Sequence, residues 1–340
     1  MTASIETALR GPRQRSAHRR ARLSEAMASL LPLIAVVVVA TVFAIISPDA
    51  FLTAANVRTI ADQAALPLIL AMGATFVILM GGIDLSIEGI MATSSLTFVL
   101  LSANSSTSIN LGLGAAAIAL LSGALIGLVT GIVHTRLRAP SFMVSLGVWY
   151  IGLGIATVLY GNQVPQLTDA AQKSWVSATP FGVSNGFAVA MVVVLLSAAL
   201  SRWTKFGRFA LAIGADEELA RLNSVPVVRY KTYIFMFAGL CSALAGIIGS
   251  SQLGVGTVSI GRGDLFFTIA AVVVGGTLLS GGRGGVFRSF CGVLLLTVIN
   301  NGLVIIGTSP DIQQTISGLV IVATVVVTGL RYRARLRVVK

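Results

Sequence analysis

An acidic side chain and a serine lie where an apolar run of this sequence is interrupted. Asp84 follows a pair of glycines and precedes Ser86 by two residues. Polar groups inside apolar runs are costly, and they commonly mark the path of a solute or an ion. A carboxylate and a hydroxyl at a helix break can bind the hydroxyl groups of a solute, so we predict that Asp84 and Ser86 line a substrate pathway. The alternative is that Asp84 only caps a helix.

A pair of amides forms the second candidate site. Asn300 and Asn301 precede Gly302 within another apolar run. Amide side chains offer donors and acceptors without the desolvation cost of a full charge. We predict that both amides line the same pathway, and the alternative is that they form hydrogen bonds between helices.

One short pattern occurs in both halves of the chain. Residues 81–86 and 275–280 both read Gly-Gly-x-x-Leu-Ser, each near the end of an apolar run. Transporters are often built from repeated halves, with glycine-interrupted helices along the substrate path. The pattern therefore predicts pseudo-repeated halves. It also predicts helix breaks at Gly81, Gly82, Gly275 and Gly276.

The sequence shows no residues arranged for catalysis, nucleotide binding or metal binding. A P-loop requires a lysine directly after a glycine, and none of the lysines in the sequence follows a glycine. The two Cys and two His are not clustered, which argues against a structural metal site. We predict a chain without catalytic residues, metal ligands or a cofactor of its own.

The elements that carry these residues are predicted to be transmembrane helices. Apolar residues make up 55% of the chain and charged residues 11%, whereas a soluble domain has about 25% charged residues. The apolar runs are long enough to cross about 30 Å of hydrocarbon. The sequence predicts an all-α integral membrane protein of about 10 transmembrane helices. The predicted spans are 27–47, 60–81, 84–101, 109–133, 141–160, 183–201, 232–253, 264–280, 286–306 and 311–329.

The net charge of +12 is explained by topology. If both termini are cytoplasmic, 21 of the 24 Lys and Arg residues lie on inner segments, which is the positive-inside distribution. The basic surplus favours contact with anionic lipid and gives no indication of nucleic-acid binding. We predict basic cytoplasmic segments at 1–26 and 331–340, on either side of a single transmembrane domain at 27–330.

The largest hydrophilic inner segment, 202–231, contains a short amphipathic pattern. Asp216 can cap a helix, and Glu217 and Arg221 are spaced for an i,i+4 ion pair. Such a helix is either a solvated surface helix or a surface that a peripheral motor domain grips. We predict the second role for this set: Gly214, Asp216, Glu217, Glu218, Leu219 and Arg221.

Several motifs, in the same order, resemble those of the ribose-type permeases of bacterial ATP-binding-cassette (ABC) sugar importers. The resemblance covers nearly the whole chain after Phe51. Its motifs lie at 51–56, 73–86, 138–147, 204–222, 269–284 and 300–303. It implies an inner-membrane permease subunit for a monosaccharide or related small polar solute. It also implies a second permease subunit, separate ATPase subunits that hold ATP and magnesium, and a periplasmic sugar-binding protein.

Two departures from the family pattern concern the placement of acidic residues. Glu88 stands where the family usually has a small residue, and Leu265 and Phe267 stand where it commonly has acids. An ion-coupled secondary transporter is the alternative function, but it would need ionisable pairs within the membrane. Neither that class nor a membrane enzyme explains segment 204–222.

Overall fold

The computed structural model describes residues 30–180, 182–309 and ten positions between 311 and 326. These are α-helices joined by turns and loops, with two isolated bridges, Asn104 to Leu167 and Gln166 to Val255. The basic segments predicted at 1–26 and 331–340 lie outside the described residues.

We number the helices of this part of the chain in order. Their bounds are α1 Leu30–Ile46, α2 Pro48–Phe51, α3 Ala54–Leu79, α4 Ile87–Leu101, α5 Leu113–Arg136, α6 Ser141–Tyr160, α7 Ala170–Ser174, α8 Asn185–Trp203, α9 Lys205–Ala215, α10 Glu217–Leu222, α11 Val227–Leu253, α12 Asp264–Val274 and α13 Val286–Ile305.

Six of the described helices are long and apolar enough to cross a membrane: α3, α5, α6, α8, α11 and α13. The chain is therefore an all-helical, multi-pass membrane protein. The spans predicted at 27–47, 84–101 and 264–280 coincide with the shorter apolar helices α1, α4 and α12. The span predicted at 311–329 falls largely on residues outside the described ones, so the count of about ten stays a prediction.

Helices α4 and α12 are too short to cross a bilayer alone. They contain 15 and 11 residues, which is about 22 Å and about 16 Å of helix against about 30 Å of hydrocarbon. Each is joined to a stretch of non-helical backbone, 80–86 before α4 and 275–285 after α12. These two interruptions contain the repeated glycine pairs.

Helices α3 and α11 form the centre of the bundle. In each, 78% of the most apolar 18-residue window is buried, because residues on every side of the helix are apolar or small. Thr75 is a buried polar exception on α3. Its hydroxyl forms hydrogen bonds with the Ala71 carbonyl and with the Ser289 hydroxyl of α13, the latter at 2.7 Å.

Helix α5 packs against α11 along a face of small residues. A Cβ added at Gly123 would lie 2.7 Å from the Gly239 carbonyl oxygen, and one at Gly131 would lie 2.7 Å from the Thr232 Cα. Gly127, between them, contacts the Phe235 carbonyl in the same way. Small residues at this spacing let two membrane helices approach closely.

We expect Gly127→Leu to destabilise the bundle strongly. The added side chain would enter the α11 backbone, and overpacking of a close helix contact typically costs about 1–3 kcal/mol. Thermal unfolding of the purified protein in detergent measures the effect. Gly154→Leu is the matched control, because nothing lies within 4 Å of a Cβ added at Gly154. Equal midpoints for the two variants would contradict the close contact.

Candidate functional site

The first glycine pair ends helix α3 in a tight, hydrogen-bonded turn. The Gly81 N–H donates to the Ile78 carbonyl and the Gly82 N–H donates to the Val77 carbonyl, both at 2.9 Å. Gly81 has φ +80°, a conformation that costs little only for glycine. This pattern is the Schellman motif, a common end of helices. The predicted break at this pair is therefore present.

The second glycine pair ends helix α12 in the same type of turn, but shifted by one residue. Here the Gly276 N–H donates to the Val273 carbonyl at 2.8 Å and the Thr277 N–H donates to the Val272 carbonyl at 3.2 Å. The left-handed residue is Gly276, with φ +96°. It is the second glycine of its pair, whereas Gly81 is the first. Aligning the two turns by hydrogen bonding therefore places Asp84 opposite Leu279, and not opposite Leu278 as the sequence pattern does.

The two turns are followed by different structures. Ser86 directly precedes α4, which begins at Ile87. After Ser280, by contrast, a further turn leads to α13, which begins at Val286. The repeated Gly-Gly-x-x-Leu-Ser sequence thus corresponds to similar helix ends and to different connections beyond them.

Asp84 has both a local structural contact and access to a cavity. Its Oδ1 accepts hydrogen bonds from the Ser86 backbone N–H at 2.8 Å and from the Ser86 hydroxyl at 2.6 Å. The side chain is 5% exposed. These contacts order the backbone just before α4, whose N-cap position is Ser86 and not Asp84. The same aspartate also lines a cavity.

This cavity has a volume of about 210 Å³. Its described lining is apolar apart from Asp84, and consists of Ala74, Val77, Ile78, Ile83, Asp84, Phe266, Ile269 and Leu279. Residues of α3, of both interruptions and of α12 thus meet around one carboxylate. We call it the Asp84 cavity.

Two serines of α6, which were not among the predicted site residues, accept hydrogen bonds from the backbone around Asp84. The Ser141 hydroxyl accepts from the Ile83 N–H at 3.0 Å, and the Ser145 hydroxyl accepts from the Leu85 N–H at 2.9 Å. A non-helical stretch inside a membrane bundle needs partners for its backbone groups. The spacing of four residues between the serines was the available signal, since it places both on one face of α6.

Glu88 caps the start of α12. Its Oε1 accepts from the Gly263 N–H at 2.9 Å and from the Leu265 N–H at 3.4 Å. A carboxylate is favourable there because the N-terminal end of a helix carries partial positive charge. Glu88 and Leu265 are two of the departures from the family pattern, and they are in contact. Asp264, the first residue of α12, is a second acid at this helix start.

The structure does not bring the two amides to the Asp84 cavity within one chain. Asn301 is 3% exposed and its Oδ1 has no hydrogen-bond partner among the described residues, whereas Asn300 is half-buried. Asn301 lies twelve positions after Ser289, or about 18 Å along α13, and Ser289 contacts α3 close to its C-terminal end. The amides and Asp84 thus occupy separate places.

The predicted amphipathic helix is confirmed. Asp216 caps α10 by accepting from the Leu219 N–H at 2.9 Å, and Glu217 pairs with Arg221 at 2.6 Å. Glu217 also pairs with Lys231 of α11 at 2.6 Å, a contact that fastens α10 to the bundle. Leu219 is 55% exposed and Leu222 is 78% exposed, so α10 presents an apolar surface. Glu218 is exposed as well.

Three backbone segments meet at Gly214: the end of α9, the end of α3 and the stretch around Gly282. A Cβ there would contact the Leu79 carbonyl and would lie 2.6 Å from the Gly282 nitrogen. The Gly282 N–H donates to the Leu79 carbonyl at 2.9 Å, and a Cβ at Gly281 would lie 2.7 Å from the Gly81 nitrogen. The end of α9, just before α10, therefore touches both helix breaks, and packing accounts for the need for glycine.

The ion pairs of Glu217 predict a pH effect on the attachment of α10. Partial burial alone would raise the pKa of Glu217, but Lys231 and Arg221 outweigh it and hold the pKa below its usual value of 4.5. A carboxylate with a lowered pKa stabilises the fold at higher pH, and this contribution is lost as the pH falls through the folded-state pKa.

We expect the wild-type protein to lose thermal stability between about pH 5.5 and about pH 3 by more than Glu217→Gln does, because the amide cannot titrate. Melting curves of both proteins across this interval measure the difference. Parallel pH profiles would contradict the assignment to Glu217.

Together, these features define a membrane transport subunit: a bundle of apolar helices in which two helix breaks enclose a buried carboxylate and touch a surface segment. Among the described residues, no group of three or more His, Cys, Asp or Glu is placed to hold a metal ion. The chain belongs to the family described as "branched-chain amino acid transport system / permease component", whose model matches residues 56–325. It is thus a permease subunit of an ABC importer, a multi-pass protein of the inner membrane, and not an enzyme.

Three relatives illustrate its similarity to known proteins. The ribose import permease protein RbsC of Escherichia coli (strain K12) is 33% identical over 300 residues, which is 87% of this chain and 92% of that protein. The fructose import permease protein FrcC of Rhizobium meliloti is 31% identical, over 87% of this chain and 84% of that protein. The D-allose transport system permease protein AlsC of Escherichia coli (strain K12) is 27% identical, over 86% and 89%. No solved structure matches the chain.

Proposed function

We propose that this permease moves a monosaccharide or a related small polar solute through the inner membrane, driven by a separate ATPase. The observation that carries the proposal is the Asp84 cavity, in which one carboxylate lies in an apolar wall. A carboxylate accepts hydrogen bonds from hydroxyl groups. An amino acid, as in the family description, would also need a cationic partner for its own carboxylate, and the described lining has no basic residue.

The relatives support the same class of solute. RbsC, FrcC and AlsC are named for ribose, fructose and D-allose, which are all monosaccharides. These proteins match the chain over most of its length. We therefore prefer a sugar to a branched-chain amino acid.

The proposed pathway lies between this chain and a second permease subunit, either identical or homologous. Asp84 and Ser86 would act near one end of it, and Asn300 and Asn301 would act further along α13. Phe266, at the edge of the Asp84 cavity, is 67% exposed and would face the partner subunit. Binding in the pathway would be weak, and a periplasmic sugar-binding protein would supply the affinity.

The remaining features of the proposal concern topology. We propose a single domain, 27–330, with about ten crossings, pseudo-repeated halves and both termini cytoplasmic. The chain itself binds no cofactor, because ATP and magnesium belong to the ATPase. Reporter fusions at Lys340 test the orientation: activity of a reporter that works only outside the cytoplasm would contradict it.

Reconstitution tests the function and separates it from ion-coupled transport. The permease, its ATPase and its binding protein in liposomes should take up labelled monosaccharide when ATP is supplied to the ATPase side. A proton or sodium gradient alone should drive none. Uptake driven by an ion gradient without ATP would favour a secondary transporter, and uptake of a branched-chain amino acid in place of the sugars would overturn the substrate class.

The exposed surface of α10 predicts the place where the ATPase docks. We expect Leu219→Asp to abolish stimulation of the ATPase and uptake, because it puts a charge into an apolar contact while leaving the backbone bond to Asp216 intact. Leu219→Met is the control, since it keeps an apolar side chain of similar volume. Co-purification of the ATPase measures docking, and normal association of the Asp variant would contradict this assignment.

A further inference from the structure

A second cavity lies where α5 ends and α11 begins. It has a volume of about 360 Å³ and is bounded by the loop after α5, by α10 and by the first turn of α11. Its charged lining consists of Arg138, Glu217, Arg221 and Lys231. The cavity is separate from the Asp84 cavity, since the two share no lining residue.

The cavity has an excess of positive charge. Glu217 is held between Arg221 and Lys231, with both distances 2.6 Å, so its charge is already compensated. Arg138 forms no ion pair with any described residue, and it is exposed. Three cations around a single carboxylate leave two positive charges available to an anion.

The loop that carries Arg138 is ordered by specific contacts. The His134 Nδ1 lies 2.7 Å from the Ala139 carbonyl oxygen, and a carbonyl can only accept, so Nδ1 is the donor. Arg138 itself has φ +54°, a conformation that is uncommon for residues other than glycine. The bond from His134 thus helps to fix the turn that places Arg138 at the rim of the cavity.

The position of the cavity indicates where its ligand comes from. Helices α5 and α11 are both long enough to cross the membrane, and the cavity lies at the ends of these two helices. The ends of membrane-spanning helices lie at the level of the lipid headgroups. Basic pockets between such helices are known to bind anionic headgroups.

We propose that this cavity binds the phosphate group of an anionic phospholipid headgroup. Arg138 supplies one of the two uncompensated charges, while Lys231 and Arg221 face the same phosphate and keep their contacts with Glu217. Because Glu217 and Arg221 belong to α10, a bound headgroup would tie α10 to the loop after α5. Lipid binding at this cavity does not depend on whether the transported solute is a sugar.

Native mass spectrometry of the full chain in detergent, titrated with phosphatidylglycerol, tests the proposal. Arg138→Asn removes the charge with little backbone strain, since Asn adopts positive φ more readily than most residues. We expect it to weaken phosphatidylglycerol binding about fivefold, equivalent to about 1 kcal/mol. Arg138→Lys should bind like the wild type. Arg136→Asn is the control, because Arg136 lies two residues away and does not line the cavity.

The other outcomes have definite meanings. Equal loss for Arg136→Asn and Arg138→Asn would overturn a specific site in favour of a diffuse basic surface. Displacement of the lipid by low millimolar glycerol phosphate would assign the cavity to a soluble phosphate compound and overturn the headgroup. A third outcome is that Arg138→Asn no longer associates with the ATPase when phosphatidylglycerol is absent. This would show that an acidic group of the ATPase occupies the cavity, and it would overturn the assignment to a lipid headgroup.

Discussion

Replacing Gly214 by valine is expected to abolish transport while leaving the protein in the membrane. The new side chain would occupy the position of the Leu79 carbonyl and the Gly282 nitrogen. It would therefore push α9 away from both helix breaks and alter the position of α10, which follows directly. Overpacking of this kind typically costs about 1–3 kcal/mol, but the effect on uptake should be near complete because the contact joins the proposed ATPase surface to the proposed pathway.

The measurement is ATP-driven uptake by the reconstituted importer, together with ATPase activity and membrane content of the variant. Gly147→Val is the matched control, because nothing lies within 4 Å of a Cβ added at Gly147. Gly214→Ala should show the same defect to a smaller degree, which covers the case in which the valine variant does not fold. Normal uptake by a correctly inserted Gly214→Val protein would show that the junction plays no part in coupling.

The second large effect is expected for Asp84→Asn, which should reduce the rate of uptake at least about tenfold, or about 1.4 kcal/mol in barrier height. The amide keeps the oxygen that accepts both hydrogen bonds from Ser86, so the start of α4 should be preserved. What is lost is the negative charge in the cavity, and hydrogen bonds to charged groups are worth more than neutral ones.

The effect of Asp84→Asn is measured by uptake assays in the assembled importer. Co-purification of the ATPase is the second readout. Association with the ATPase should be unchanged, because Asp84 is buried and its hydrogen bonds are to Ser86. Asp84→Glu is the second variant, because it keeps the carboxylate and moves it by one methylene group. A defect of Asp84→Glu in the membrane content of the protein, and not only in uptake, would show that Asp84 acts by ordering α4.

The sequence predicted the parts of this structure that depend on local chemistry. Long apolar runs gave the six crossing helices, with limits that differ by a few residues, such as 54–79 for the span predicted at 60–81. The glycine pairs predicted where α3 and α12 end. The spacing of Glu217 and Arg221 predicted their ion pair in α10. Each of these depends on residues within one turn or one helix of each other.

The features that sequence reasoning missed depend on contacts between distant residues. Ser145 holds Leu85 across 60 positions, and Glu88 caps a helix that begins 176 positions later. Neither residue carries a local sign of its partner. The short length of α12 was missed for a similar reason, since a broken span and a continuous one have the same apolar composition. The separation of Asn301 from Asp84 follows from the direction in which α13 runs, which its sequence does not show.

The two turns give the Asp84 cavity two unlike sides. Asp84 and Leu279 occupy matching positions after the left-handed glycines, and both line the cavity. One turn thus presents a carboxylate and the other an aliphatic group. A sugar ring has an edge of hydroxyl groups and a face of C–H bonds, so it could satisfy both sides in only one orientation. The cavity would therefore discriminate between epimers, because inverting one hydroxyl moves a polar group from the Asp84 side toward the Leu279 side.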